Sequence, residues 1–217
     1  MTAVSTTTPH PAPPSLGDVA IFFAVFGIVW TLFVVVVWKF GVLPESARPW
    51  ARTALWLGAV LIWIAWQRPA APLSWLGVSS FDRRSIAIAA TVFVILIVWN
   101  LLRVHLMNSS AGTLSSLTFS KLVQGFVGVF VEEIIFRGVI QSRLSERLAG
   151  PYAILTTAVL FLLIHLPGWV ILSIPVSAAG VVTVLLVGVI SGVLRLWTKS
   201  LWPGVAAHWA NNIGAGF

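Results

Sequence analysis

GFVGVFVEEIIFRGVI, residues 125–140, sets two adjacent carboxylates, Glu132 and Glu133, and one guanidinium, Arg137, inside an otherwise apolar run. The rest of the chain shows what kind of run this is. Of its 217 residues 59% are hydrophobic and 9% charged, and mean hydropathy is +0.99, whereas soluble domains carry about 25% charged residues. The apolar residues recur in stretches of about 15 to 25, the length needed to cross about 30 Å of hydrocarbon. The expected fold is all-α, a polytopic transmembrane helical bundle of about seven helices.

Working outward from 125–140, the apolar runs are 19–40, 51–67, 85–106, 119–141, 151–167, 176–196 and 201–217, the second and last being short. The first contains the β-branched stretch Phe33 to Val37, but a lone strand leaves its backbone unsatisfied in lipid, so a helix is expected there too. Between the fifth and sixth runs, LPGWVILSIP carries Pro167, Gly168 and Pro175, which break regular helix and mark an eighth short or re-entrant segment. Residues 1–17, rich in Thr and Pro, read as a flexible tail without the basic stretch of a secretory signal. Residues 18–217 then form a single transmembrane domain. Gly188 and Gly192 make a GxxxG, a signature of close helix packing, and Trp38, Trp50, Trp99 and Trp202 lie near run ends as interfacial anchors would.

The net charge of +7 could point to nucleic acid in a soluble protein. Here the basic residues cluster at the ends of apolar runs, where they set orientation and meet lipid headgroups, so the expected partner is the lipid bilayer and no nucleic acid. With seven spans, Arg68, Arg83, Arg84, Arg143, Arg147, Arg195 and Lys199 fall on the side of the N-terminus, against Lys39, Arg48, Arg52, Arg103 and Lys121 opposite, which favours a cytoplasmic N-terminus. With no cysteine, disulfides, thiolate metal sites and a cysteine nucleophile are all excluded.

A charge at the centre of a membrane helix costs about 2.5 to 3.5 kcal/mol on insertion scales, so two adjacent carboxylates need partners. Arg137 follows Glu133 by four residues, the favourable order for a helical ion pair. Glu132 is rotated from Glu133 by about 100° and has no cation within a turn, so it must look to another helix or to a water-filled cavity, a setting suited to a general base. His165, His208 and Asn212 are the other costly polar residues of this part of the chain, and Asn212 shares a helical face with His208. At about 1.5 Å per residue, Glu132 lies about 16 Å from the Arg143 end of its run, His165 about 21 Å from Pro151, and His208 and Asn212 about 10 and 16 Å from Leu201. All four can converge at one depth. HExxH, GxSxG and the Walker phosphate loop do not occur.

Glu132-Glu133-x-x-x-Arg137, Phe161-x-x-x-His165 and His208-x-x-x-Asn212, in that order within a polytopic chain, resemble the CPBP family of intramembrane proteases, which includes CAAX prenyl endopeptidases and bacteriocin-processing or self-immunity (Abi) proteins. The resemblance covers about residues 119–217. It implies an intramembrane endopeptidase in which Glu132 with His165 activates a water and His208 with Asn212 stabilises the oxyanion, while Glu133 and Arg137 hold the site and Phe161 orients the imidazole. It implies a membrane-tethered or lipidated peptide or protein as substrate, and an integral, multi-pass location, in the plasma membrane if the chain is prokaryotic. Glu132, His165 and His208 would suffice for a catalytic divalent metal such as zinc, although the close His spacing usual for such sites is missing, and an acid–base site without metal is equally consistent. The residues alone also accommodate a proton-coupled transporter, since intramembrane Glu and His serve as proton relays, or a non-catalytic immunity or scaffold protein whose polar groups only join helices.

Overall fold

The computed structural model describes residues 15–106 and 118–215. Most of the expected tail, residues 1–14, lies outside them. Its end does not: Ser15 caps the first helix in a reciprocal box, its hydroxyl accepting from the Asp18 N–H at 3.2 Å and its own N–H donating to Asp18 Oδ2 at 3.1 Å.

The fold is all-helical. Helix α1 (Leu16–Phe33) continues as a π-helical segment, π1 (Val34–Lys39), so the valine-rich stretch is helical but wider than an α-helix. Then come α2 (Arg48–Gln67), the short α3 (Pro72–Leu76) and α4 (Arg83–Leu106). The central helix runs without interruption through α5 (Phe119–Glu133), a second π segment π2 (Ile134–Gln141) and the single turn α6 (Ser142–Ser145). It is followed by α7 (Gly150–Leu163), the short α8 (Leu166–Ile171), α9 (Ala178–Thr198) and α10 (Trp202–Ala215). The chain is broken at His165, and α8 is the short segment that the prolines foretell.

Leu16–Lys39, Arg83–Arg103, Gly150–Ile171 and Ala178–Thr198 are long and apolar enough to cross a membrane. Of the other three expected crossings, the one at 51–67 exposes Leu61, Ile62 and Trp66, and the remaining two carry Glu132, Glu133, Arg137 and His208 among buried neighbours. Every residue from Val131 to Gln141 is buried, so this stretch of the central helix meets protein and has no need to be apolar. The chain is an integral membrane protein.

Lipid tails are as apolar as leucine, so helices here associate by close packing and by polar contacts. The GxxxG of α9 provides both. A Cβ at Gly188 would lie 2.9 Å from Ala158 Cβ on α7, so only glycine admits that approach. The carbonyls laid bare are used: Gly188 C=O accepts from Arg137 Nη2 at 3.1 Å and Gly192 C=O from Gln141 Nε2 at 2.8 Å. On the opposite flank, aromatic rings join α1, α2 and the central helix, Trp30 and Phe26 standing edge-on to Trp56 at 5.3 and 5.0 Å and Phe22 edge-on to Trp63 at 4.7 Å. Such pairs are worth about 0.5–1.5 kcal/mol each beyond their burial. Trp50 and Trp99 are exposed, whereas Trp202 is half-buried: it stacks on Phe130 at 5.5 Å and its indole N–H donates to the Val78 carbonyl at 2.9 Å.

The loop after α3 is strapped to the ends of α6, α9 and α10. Arg195, expected to face headgroups, instead donates through Nη2 to the Trp75 carbonyl at 2.8 Å and to Ser142 Oγ at 3.1 Å. Gly77 turns this loop at φ +78°, and a Cβ there would lie 2.7 Å from Arg195 Cζ. Gly77→Ala is therefore expected to destabilise the fold by more than about 1 kcal/mol, read as a lowered thermal midpoint in detergent; an unchanged midpoint would show that the strap carries no stability.

Candidate active site

The site is built on the central helix. At the junction of α5 and π2, Glu132 and Glu133 project into different surroundings, as their angular offset requires. Glu133 and Arg137 are fully buried (both 0% exposed) and pair at 2.9 Å, Arg137 Nη1 donating to Glu133 Oε1. Arg137 Nη2 donates to the Gly188 carbonyl at 3.1 Å, and its guanidinium lies over the Phe161 ring, 4.6 Å from the centroid. π-helical turns are rare and often occur at functional sites; π2 begins at Ile134, directly after the two carboxylates, and holds Arg137.

His208 comes from α10. Its Nδ1 lies 2.9 Å from Glu133 Oε1, the same oxygen that receives Arg137. A carboxylate oxygen can only accept there, so Nδ1 carries the proton and Nε2 is the ring nitrogen left for other work. That Nε2 lies 3.6 Å from Glu132 Oε2, beyond a direct hydrogen bond and at a separation that a water or a substrate oxygen can bridge.

His165 sits at the break between α7 and α8. Its Nδ1 lies 2.7 Å from the Phe161 carbonyl, which fixes the proton on Nδ1 and again leaves Nε2 as the free nitrogen. The break itself is held by α1: the Trp30 indole N–H donates to the Ile164 carbonyl at 3.0 Å, satisfying an acceptor that the end of α7 exposes. Phe161 stands edge-on to both imidazoles, 4.9 Å from His165 and 5.4 Å from His208, and edge-on to Phe136 at 5.0 Å.

Glu132 and His165 line one cavity of about 230 Å³, walled by Trp30, Trp56 and Trp169 and by Arg52 from α2. With charged and imidazole groups in its wall the cavity is polar enough to hold water. Arg52 is the residue that sequence reasoning misplaced. It was expected as a loop charge at the head of the second run; instead its Nη2 contacts Glu132 Oε1, and its guanidinium lies 5.3 Å from the centroid of the Trp56 ring. Glu132 does look to another helix and to a cavity, and the other helix provides a cation. The one signal in the sequence was an arginine followed four residues later by a tryptophan inside an apolar run. Asn212 lies one turn beyond His208 on α10 and its Oδ1 accepts from Asn211 Nδ2 at 3.3 Å; neither it nor His208 is among the residues lining the cavity, and His208 approaches the site through Glu132 and Glu133.

A metal held by Glu132, His165 and His208 fits this arrangement poorly. Among the described residues no three His, Asp or Glu side chains are grouped as metal ligands. One oxygen of Glu132 already faces a guanidinium, whose charge opposes a second cation at the same carboxylate. No step below is routed through a metal.

Residues 114–214 match the family model described as Type II CAAX prenyl endopeptidase Rce1-like. Neither the curated proteins nor the solved structures give a match to this chain.

Proposed function

Because residues 114–214 match the model of the Rce1-like type II CAAX prenyl endopeptidase family, we propose that this protein is an intramembrane endopeptidase that hydrolyses a peptide bond by acid–base catalysis on water. The observation that carries the proposal is the convergence of one ion-paired carboxylate and one imidazole with a free Nε2 on a single cavity. Water in that cavity is within reach of Glu132 Oε2, which takes one of its protons, while His165 Nε2 accepts a hydrogen bond from the other. The hydroxide oxygen adds to the scissile carbonyl carbon. His208 stabilises the oxyanion that forms from its Nε2 side, its ring held by Glu133 at Nδ1, with Arg137 paired to Glu133 in turn. Asn212, on the same side of α10, is the second donor. The proton held by Glu132 passes to the departing amine as the tetrahedral intermediate collapses, which restores the carboxylate. The substrate is a membrane-tethered or lipidated peptide or protein, and the protein is multi-pass with a cytoplasmic N-terminus, in the plasma membrane if the chain is prokaryotic.

The test is reconstitution. In liposomes, the purified protein is expected to release product from a fluorogenic farnesylated peptide with a CAAX-type C-terminus, and to keep its rate within about twofold after treatment with EDTA or phenanthroline, because the Arg52 guanidinium at Glu132 Oε1 opposes a second cation at that carboxylate. No product, together with pH-driven ion flux, would replace this reading by a proton-coupled transporter. Loss of rate on chelation, restored by zinc, would overturn the metal-free part of the mechanism.

A further inference from the structure

Arg52 lies outside the matched segment, on α2, yet it is the cation in contact with the carboxylate that serves as base. We propose that Arg52 is a positioning residue for the reaction: it holds Oε1 of Glu132 so that Oε2 faces His208 Nε2 and the cavity. This rests on the peptidase reading above and adds to it a part for the first two helices.

A glutamate carboxylate turns freely about its last torsion, which is broad and two-fold, so a base of this type needs one oxygen anchored if the other is to point at a water. Arg52 is the anchor that the site contains. The other guanidinium nearby, Arg137, is spent on Glu133, on the Gly188 carbonyl and on the Phe161 ring. Arg52 is itself well held. Its guanidinium lies against Trp56, which is 2% exposed and wedged by the edges of Trp30 and Phe26. Trp30 also bonds the Ile164 carbonyl beside His165. One aromatic cluster from α1 and α2 thereby sets the position of the base through Arg52 and that of His165 through the helix break. The Arg52 side chain is 27% exposed and borders the cavity, so a small cation could enter the space that its removal leaves.

The experiment compares wild type, Arg52→Ala and Arg52→Lys on the farnesylated CAAX-type peptide in liposomes. Arg52→Ala is expected to lower kcat about 10- to 100-fold, the scale on which a misplacement of about 1 Å slows a reaction, with KM within about threefold of wild type. Arg52→Lys is expected to retain more activity than Arg52→Ala. Added guanidinium or ethylguanidinium ion should restore Arg52→Ala saturably, which a merely structural arginine would not allow. Arg52→Gln carries the same comparison if Arg52→Ala does not fold. Wild-type kcat in Arg52→Ala, or a raised KM with kcat unchanged, or a kcat loss in a folded variant that guanidinium ions do not relieve, each overturns this inference alone. No cleavage by wild type overturns the peptidase reading and this inference with it.

Discussion

Glu132→Gln is expected to lower kcat for peptide hydrolysis by about 10³-fold, within the range that a positioned general base contributes. The substitution keeps the shape of the side chain and leaves an amide oxygen able to accept from Arg52, but it removes the lone pair that takes the proton of water. KM should change little, since nothing in the cavity wall is moved. Stability should also change little: Arg52 is partly exposed and remains over Trp56. A Glu132→Gln protein that cleaves within tenfold of wild type would remove Glu132 from the chemistry.

Arg137→Ala carries the largest expected loss of stability, about 3–5 kcal/mol, the cost of breaking a buried ion pair by deleting one partner. Three contacts fail together. Glu133 keeps only His208 at the shared oxygen, the Gly188 carbonyl loses its donor, and Phe161 loses the guanidinium over its face. Because Phe161 stands between the two histidines, the damage reaches the reacting groups as well as the helix interface. Denaturant titration of the purified protein in detergent reads the loss. Combining it with Glu133→Gln should recover part, since the stranded charge is then gone. A single-variant loss under about 1 kcal/mol would show that the pair does not hold the site together.

The periodic features of the fold were legible in the sequence, and so was the ion pair within one helix. The seven apolar runs appear as helices, and the proline-bracketed segment appears as a short helix after a break at His165, because length and hydropathy act locally. The pair Glu133 and Arg137 was legible for the same reason: spacing along one helix decides which face a residue takes. What could not be read were contacts between helices distant in sequence. Arg52 and Glu132 are separated by 80 positions and no local pattern links them. Arg195 looked like a headgroup charge until the loop after α3 folded back on it. Trp202 sits at a run end as an interfacial residue would, and its bond to the Val78 carbonyl, 124 positions away, has no local signal. The π-helical stretches were also invisible, since a wider turn leaves the order of apolar residues unchanged.

The central claim is that Glu132 makes this protein a peptidase, and mass spectrometry of new peptide termini in membranes tests it most directly. Cells carrying the wild-type chain are compared with cells carrying Glu132→Gln at equal abundance. Termini present with wild type and missing with the variant are the predicted result, and their sequences identify the substrate class. Identical termini in both, with both proteins folded and membrane-tethered peptides detectably present, would contradict it.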